Sequence, residues 1–170
     1  MAGRQDIERW YDEHAGALFA LLLNLTRDES DARDLLQAVF VRLASQSERF
    51  AAAADPRAYA LRLAHNAAVD LFRRRSRRHE REETWEAECR PLFAPTDDPD
   101  EAVFRQALNG ALAELPPDQR AVVHLKLWEG RTFDDIAGLL GIPLNTAASR
   151  YRYAIDKLRA RLRPLYEELQ

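Results

Sequence analysis

Residues 130–152, GRTFDDIAGLLGIPLNTAASRYR, constrain the fold more than any other stretch of this sequence. Thr132, followed three residues later by Asp135, is a typical helix N-terminal capping pair. A short apolar stripe follows, and Gly141 supplies the left-handed conformation that ends a helix. The small side chain of Ala137 allows a second helix to cross closely. The stretch therefore predicts a helix-turn-helix.

The second helix of this pair has one apolar side and one polar side. Apolar residues at helical spacing predict its core-facing side: Ala147, Tyr151, Ala154 or Ile155, Leu158 and Leu162. Asn145, Ser149 and Arg152 fall on the opposite side, in the first turns, which reach base edges when such a helix enters a DNA major groove. An ordinary helical hairpin with a solvated basic face is the alternative.

The composition favours an all-helical protein, because Gly and Pro number only 6 and 8 in 170 residues while Ala, Leu, Arg, Glu and Asp dominate. The single Cys89 excludes an intramolecular disulfide and fits a reducing compartment. The four histidines are scattered, so neither a metal nor a cofactor is expected. The N-terminus is charged from its fourth residue and the longest apolar run, 17–23, is short, which predicts a cytoplasmic protein with no secretory signal and no membrane span.

The acidity of the chain comes from its middle. The net charge is −3, yet residues 1–80 hold 13 basic and 12 acidic residues, and residues 106–170 hold 9 and 8. Residues 81–105 hold 3 basic residues against 8 acidic ones. Positive charge is clustered in RRRSRR (73–78) and along residues 150–163, and such local patches govern attraction to phosphates.

The periodicity predicts two small helical domains, residues 1–80 and 101–170, joined by an acidic flexible linker at 81–100. Before the linker, helices are expected at about 6–26, at about 30–45 and from about 55 to beyond 74. After the linker, helices are expected at about 101–114 and 118–128, and the second helix of the helix-turn-helix is expected to continue to about 165. Ser30 or Asp31 is expected to cap the second helix. The third is expected to turn Tyr59, Leu63, Ala67 and Leu71 inward. Its other face carries Arg62, Asn66, Val69, Arg73 and Arg77. This face suits binding to nucleic-acid phosphates, and the alternative is a helix end that only makes the protein more soluble.

Three segments in this order resemble the extracytoplasmic-function (ECF) class of bacterial RNA polymerase sigma factors. They are YDEHAGALFALLLNLTRDESDARDLLQAVFVRL (11–43), DPRAYALRLAHNAAVDLFRRRSRR (55–78) and, after the linker, residues 112–162 with the helix-turn-helix. The pairing of DARDLLQAVFVRL with LAHNAAVDLFRRR is specific, whereas a lone helix-turn-helix is shared with many regulators. The resemblance covers nearly the whole chain outside the linker.

The resemblance implies a promoter-specificity subunit with no catalytic residues of its own, whose partners are core RNA polymerase, promoter DNA and an anti-sigma factor. Core polymerase would be contacted by Asp34, Leu35, Gln37 and Phe40. The −10 element would be contacted by Tyr59, Arg62, His65, Asn66, Asp70, Arg73, Arg74 and Arg77. The −35 element would be contacted by Asn145, Thr146, Ser149, Arg150, Arg152 and Tyr153. The acidic linker would pass near the RNA path of the polymerase.

The sequence also departs from the family's pattern. Ala38 stands where an acid is usual, and His65 where an Arg is common. Asn145, Ala147 and Ala148 replace the usual Gly, Val and Lys or Arg, so the −35 preference does not carry over from the family.

Three other functions are open to such a chain. A sigma-like mimic that binds an anti-sigma protein has no need of two basic faces. A free-standing helix-turn-helix regulator leaves the first 80 residues unexplained. An enzyme with a metal at Asp97, Asp98, Asp100 and Glu101 is disfavoured, because these acids lie in a Pro-rich segment where solvation explains them.

Overall fold

Eight helices make up the regular secondary structure of residues 2–79 and 91–168, the part of the chain that the computed structural model describes. The first four are α1 (Ala2–Thr26), α2 (Glu29–Ser45), α3 (Ser47–Ala51) and α4 (Pro56–His79). The last four are α5 (Pro99–Ala113), α6 (Pro117–Leu127), α7 (Phe133–Leu140) and α8 (Leu144–Glu168). The chain divides into two units between residues 88 and 89. The all-α expectation is confirmed, and Cys89 lies outside the described residues.

The first unit is built on leucines of α1 that pack against α2 and α4. The largest fully buried side chains are Leu18, Leu21, Leu22, Leu25, Leu43 and Leu61. The chain reverses after α1 at Arg27, whose φ is 58°. Asp28 then caps α2, because its carboxylate accepts a hydrogen bond of 2.8 Å from the Asp31 N–H. The cap thus lies before the expected Ser30 or Asp31, and α3 is a short helix that the periodicity did not predict.

The inward face of α4 differs from the expected one. Its fully buried residues are Ala60, Leu61, Ala64 and Ala68, whereas Tyr59, Leu63, Ala67 and Leu71 are only half-buried. The three alanines explain the rotation, because small side chains let α4 lie close to α1 and α2 while larger ones flank the contact. This rotation leaves the polar side of α4 on the surface.

The second unit encloses a core between α5, α6 and α8. Its buried cluster consists of Ala111, Leu112, Leu115, Val123, Ala154 and Leu158. Leu92 and Phe93 pack against this cluster, and the Leu92 N–H donates to the Asn109 side-chain oxygen at 3.1 Å. The second half of the expected linker, from residue 91, therefore belongs to the C-terminal unit. The remainder, residues 81–90, lies outside the described residues.

The helix-turn-helix is formed by α7 and α8 as local chemistry predicts. Thr132 and Asp135 form a reciprocal capping box at the start of α7. Gly141 adopts φ 66° and ψ 39°, and the N–H groups of Gly141 and Ile142 both donate to the Ala137 carbonyl. The Pro143 carbonyl accepts from the N–H groups of residues 146 and 147 as α8 begins. No helix within 2–79 and 91–168 combines the length and apolarity that crossing a membrane requires.

Candidate nucleic-acid and partner interfaces

A polar stripe runs along the outer side of α4. Its members follow one another at three- or four-residue spacing and are exposed: Arg62, Asn66, Asp70, Arg73 and Arg77. Arg74 is exposed beside the stripe, while His65 and Tyr59 are half-buried at its edge. The Arg74 Nε donates to the Asp70 carbonyl at 3.3 Å. The expected −10 residues therefore share one side of α4, with Tyr59 at its N-terminal end.

One arginine of the RRRSRR cluster faces away from this stripe. Arg75 reaches back to α2 and forms an ion pair with Asp31, with a nitrogen–oxygen distance of 2.7 Å. The Asp31 side chain is mostly buried, so the pair is shielded from solvent on that side. This contact fixes the C-terminal half of α4 against α2. The side chain of Arg78 lies outside the described residues.

The outer side of α8 presents the expected −35 residues in its first three turns. Asn145, Arg152 and Tyr153 are exposed, and Tyr153 exposes 55 % of its surface. The Arg152 guanidinium lies over the Tyr153 ring at 5.2 Å, in cation–π contact. Thr146 and Ser149 are half-buried, and the Ser149 hydroxyl donates to the Thr146 carbonyl at 3.1 Å.

Arg150 is held by a neighbouring helix. Its Nε lies 3.1 Å from a carboxylate oxygen of Asp118 in the first turn of α6, and both side chains keep part of their surface in solvent. Sequence reasoning placed Arg150 among the DNA-binding residues but gave no role to Asp118. No sequence signal identifies the pair, because the two residues are brought together only by the packing of α6 on α8.

The outer side of α2 combines polar and apolar groups. Asp34 and Gln37 are exposed, and Val41 exposes 64 % of its surface in a shallow depression that Ala38 also lines. Leu35 and Phe40, by contrast, are only 8 % and 9 % exposed and belong to the core. Sequence reasoning did not include Val41, although its three- and four-residue spacing from Ala38 and Gln37 is a usable signal.

Aromatic rings connect all four helices of the first unit. Trp10 of α1 lies 5.9 Å from Phe40 of α2 and 5.1 Å from Phe50 of α3, measured between ring centroids. Phe50 lies 6.1 Å from Tyr59 of α4, and the Tyr59 hydroxyl donates to the Gln46 side-chain oxygen at 2.8 Å. Trp10 also contacts His14, with a centroid distance of 4.3 Å. We refer to Trp10, Phe40, Phe50 and Tyr59 as the aromatic chain.

A cation–π contact and a ring–ring contact connect α6, α7 and α8 in the second unit. The Lys126 ammonium lies over the Phe133 ring at 4.7 Å, and Phe133 meets Tyr151 at 5.5 Å between centroids. His124 stacks on Trp128 at 5.4 Å, and burial lowers the pKa of His124 to about 4. A neutral, buried imidazole is therefore part of the core beneath the helix-turn-helix.

Two of the four acids considered for a metal have structural roles at the start of α5. The Asp98 side chain accepts hydrogen bonds from the N–H groups of Asp100 and Glu101 as the helix cap. Hydrogen bonds from Thr96 and then Arg105 lower the pKa of the Glu101 carboxyl. Among the described residues no three His, Cys, Asp or Glu side chains converge as metal ligands. Capping accounts for Asp98, and the Thr96 and Arg105 contacts account for Glu101.

Comparison with known proteins gives a consistent result for both units. The family model described as Sigma-70 region 2 matches residues 10–78, and that described as Sigma-70, region 4 matches residues 111–160. The ECF RNA polymerase sigma factor SigL of Mycobacterium tuberculosis is 33 % identical over 156 residues, covering 91 % of this chain and 88 % of SigL. RNA polymerase sigma factor CarQ of Myxococcus xanthus is 33 % identical over 173 residues, covering 98 % and 95 %.

A solved structure shares the fold. The sigma factor RpoE of Bartonella quintana, in a co-crystal with the anti-sigma factor NepR, superimposes with a TM-score of 0.74 at 23 % sequence identity. The match covers 94 % of this chain and 98 % of that one.

Proposed function

The chain belongs to the ECF class of RNA polymerase sigma factors and is a promoter-recognition subunit, and on that premise we propose which of its surfaces performs each task. Its partners are core RNA polymerase and promoter DNA. The first unit binds the polymerase and opens the −10 element, and the second reads the −35 element as duplex. Chemistry at the growing RNA belongs to the polymerase, so this chain acts as a regulatory specificity subunit. Its site of action is the cytoplasm.

The polar stripe of α4 is the −10 surface. It combines exposed guanidinium groups, which track the phosphates of a displaced strand, with the amide of Asn66, which can pair with a base edge. Strand opening becomes a capture process, in which a base leaves the stack at a cost of about a few kcal/mol and is retained by the protein. The contiguous exposure of the stripe is the observation that carries this assignment.

The first three turns of α8 are the −35 surface. Asn145 and Arg152 are exposed where a recognition helix meets base edges, and Tyr153 lies beside Arg152. Arg150 reaches the same side with its Nε held by Asp118. Thr146 and Ser149 line the half-buried edge and suit contacts to the sugar–phosphate backbone.

The outer side of α2 is the polymerase-docking surface. Asp34, Gln37, Ala38 and Val41 form its exposed part, and Leu35 and Phe40 support it from the core. Val41 supplies an apolar group for the centre of the contact, where charged side chains are depleted in protein–protein interfaces. We infer that an anti-sigma protein is a further partner, as NepR is of RpoE, whose fold this chain shares.

In-vitro transcription tests these assignments. Core bacterial RNA polymerase is incubated with a fragmented genomic library, with and without this protein, and the 5′ ends of the transcripts are sequenced. We expect discrete new start sites with a shared upstream motif. Binding to core polymerase without new starts would support a mimic or inhibitor, and failure to bind core would overturn the docking assignment.

A further inference from the structure

Gln46 occupies the junction between α2 and α3 and belongs to both helices. Its N–H donates to the carbonyls of Arg42 and Leu43 as α2 ends, at 3.0 and 3.3 Å. Its carbonyl accepts the Phe50 N–H at 2.9 Å as α3 begins. The backbone of one residue thus terminates the helix of the docking surface and starts the helix that contributes Phe50 to the aromatic chain.

The side chain of Gln46 is not used for capping. Residues that begin a helix are usually Ser, Thr, Asp or Asn, whose side chains accept a hydrogen bond from the first turn. Gln46 makes no such bond to α3, and its side-chain oxygen instead accepts the Tyr59 hydroxyl at 2.8 Å across 13 residues of sequence. The Gln46 side chain therefore bonds to α4 and does not cap α3.

Tyr59 is fixed from two sides. Its N–H donates to the Asp55 carbonyl at 3.0 Å, and its ring meets Phe50 at 6.1 Å. These contacts set the position of the backbone and of one side of the ring. The hydrogen bond from the hydroxyl to Gln46 holds the far end of the ring and so restrains rotation about the Cα–Cβ bond of Tyr59.

We propose that Gln46 is a positioning residue for −10 recognition, which holds the Tyr59 ring at the end of the polar stripe of α4 through the hydrogen bond to its hydroxyl. This inference rests on the proposed function of that stripe. With its hydroxyl occupied, Tyr59 offers a ring face rather than a polar group, and an unstacked base gains about 1–3 kcal/mol on such a face. Because Gln46 also ends α2, the ring is placed relative to the polymerase-docking surface.

Three variants of the full chain test the proposal. Gln46→Met keeps the size of the side chain and removes the acceptor, Tyr59→Phe keeps the ring and removes the donor, and Gln46→Glu retains an acceptor oxygen. Each is assembled with core polymerase on a promoter identified by the start-site mapping above. The rate of strand separation is followed by permanganate reactivity of thymines in the −10 element, and affinity for core polymerase is measured separately. Gln106→Met, an exposed glutamine of α5, is the matched control.

We expect Gln46→Met and Tyr59→Phe each to slow strand separation about fivefold, the effect of losing one hydrogen bond. The double variant is expected to be no slower than either single variant, because both remove the same interaction. Gln46→Glu is expected to stay within about twofold of the unchanged protein, with core affinity unaltered throughout.

The proposal would be overturned if the double variant slowed strand separation by the product of the two single-variant effects. It would also be overturned by a Gln46→Glu variant as slow as Gln46→Met. A parallel loss of core affinity would show that the junction is only structural. These outcomes differ from a failure of the proposed function, in which the unchanged protein itself would direct no starts.

Discussion

Arg150 in the recognition helix and Asp118 in the first turn of α6 are joined by an ion pair with a nitrogen–oxygen distance of 3.1 Å. The carboxylate engages Nε, the guanidinium nitrogen nearest the side-chain stem, and both side chains remain partly exposed to solvent. A guanidinium fixed in this way loses less conformational freedom when it meets DNA, because its orientation is set beforehand. Asp118 would therefore support DNA binding without contacting DNA.

Replacing Asp118 by Asn is expected to weaken holoenzyme binding to a −35 duplex about twofold to fivefold, because the carboxylate no longer orients Arg150. The slope of log affinity against log salt should be unchanged, since no phosphate contact is removed. Arg150→Ala should weaken binding and reduce that slope by about one. Fluorescence anisotropy across a salt series measures both quantities.

Glu114→Gln is the control for this experiment, because it breaks the ion pair between Glu114 and Arg161 at the other end of α8. It should leave DNA affinity unchanged. Tighter DNA binding by Asp118→Asn would contradict the prediction and identify the carboxylate as a competitor of the phosphate backbone.

The stability of the second unit should depend on pH through His124. Burial lowers the pKa of His124 to about 4, whereas an unfolded chain protonates the same imidazole near 6.5. Between these values the unfolded state binds a proton that the folded state does not. The contribution of His124 to the free energy of unfolding therefore falls by about 1.4 kcal/mol per pH unit as the pH is lowered through this window, and it is constant above it.

An NMR titration of the His124 ring, combined with thermal unfolding at several pH values, checks this expectation. His124→Gln should flatten the pH dependence between 4 and 6.5. A His124 ring that titrates near 6.5 in the folded protein would rule the effect out.

Replacing Gly141 and Gly138 by alanine should change the free energy of unfolding in opposite directions. Gly141 has φ 66°, and a Cβ there meets open space, so Gly141→Ala adds backbone strain alone and should cost about 1 kcal/mol. Gly138 lies inside α7, also with open space for a Cβ, and Gly138→Ala should stabilise by about 0.5–1 kcal/mol. Denaturant unfolding of the two variants measures the difference, and equal signs would contradict the assigned turn geometry.

Val41→Lys should weaken binding to core polymerase at least about tenfold while leaving the melting temperature nearly unchanged. The reason is that Val41 is exposed in the free protein, so a charge there is solvated until the partner covers it. Ala20→Lys, an exposed position on α1, is the control. Undiminished binding of Val41→Lys to core polymerase would show that the docking surface does not lie on this side of α2.

Local chemistry predicted the helix-turn-helix correctly because each of its signals acts within a few residues. Thr132 and Asp135 need only each other to form a cap, and Gly141 needs only its own freedom at positive φ. The class of fold follows equally from helical periodicity and the scarcity of Gly and Pro.

What could not be predicted depends on contacts between distant residues. The buried face of α4 is set by how closely three alanines allow helices to approach, which hydrophobicity alone does not reveal. Leu92 and Phe93 lie in a segment with linker-like composition, yet they fill part of the core of the second unit. From the sequence alone, Arg75 and Arg150 are equally suited to face DNA. The structure pairs Arg75 with Asp31 and Arg150 with Asp118, and these contacts between distant residues could not be predicted.

The two indole–imidazole contacts give the molecule natural optical reporters. Trp10 lies against His14 in the first unit, and Trp128, which exposes 44 % of its surface, stacks on His124 in the second. The only other tryptophan, Trp85, lies outside the described residues. Two single-tryptophan forms of the protein would each emit from one unit alone. Stopped-flow emission could then time separately when each half of an unlabelled sigma factor engages polymerase and promoter.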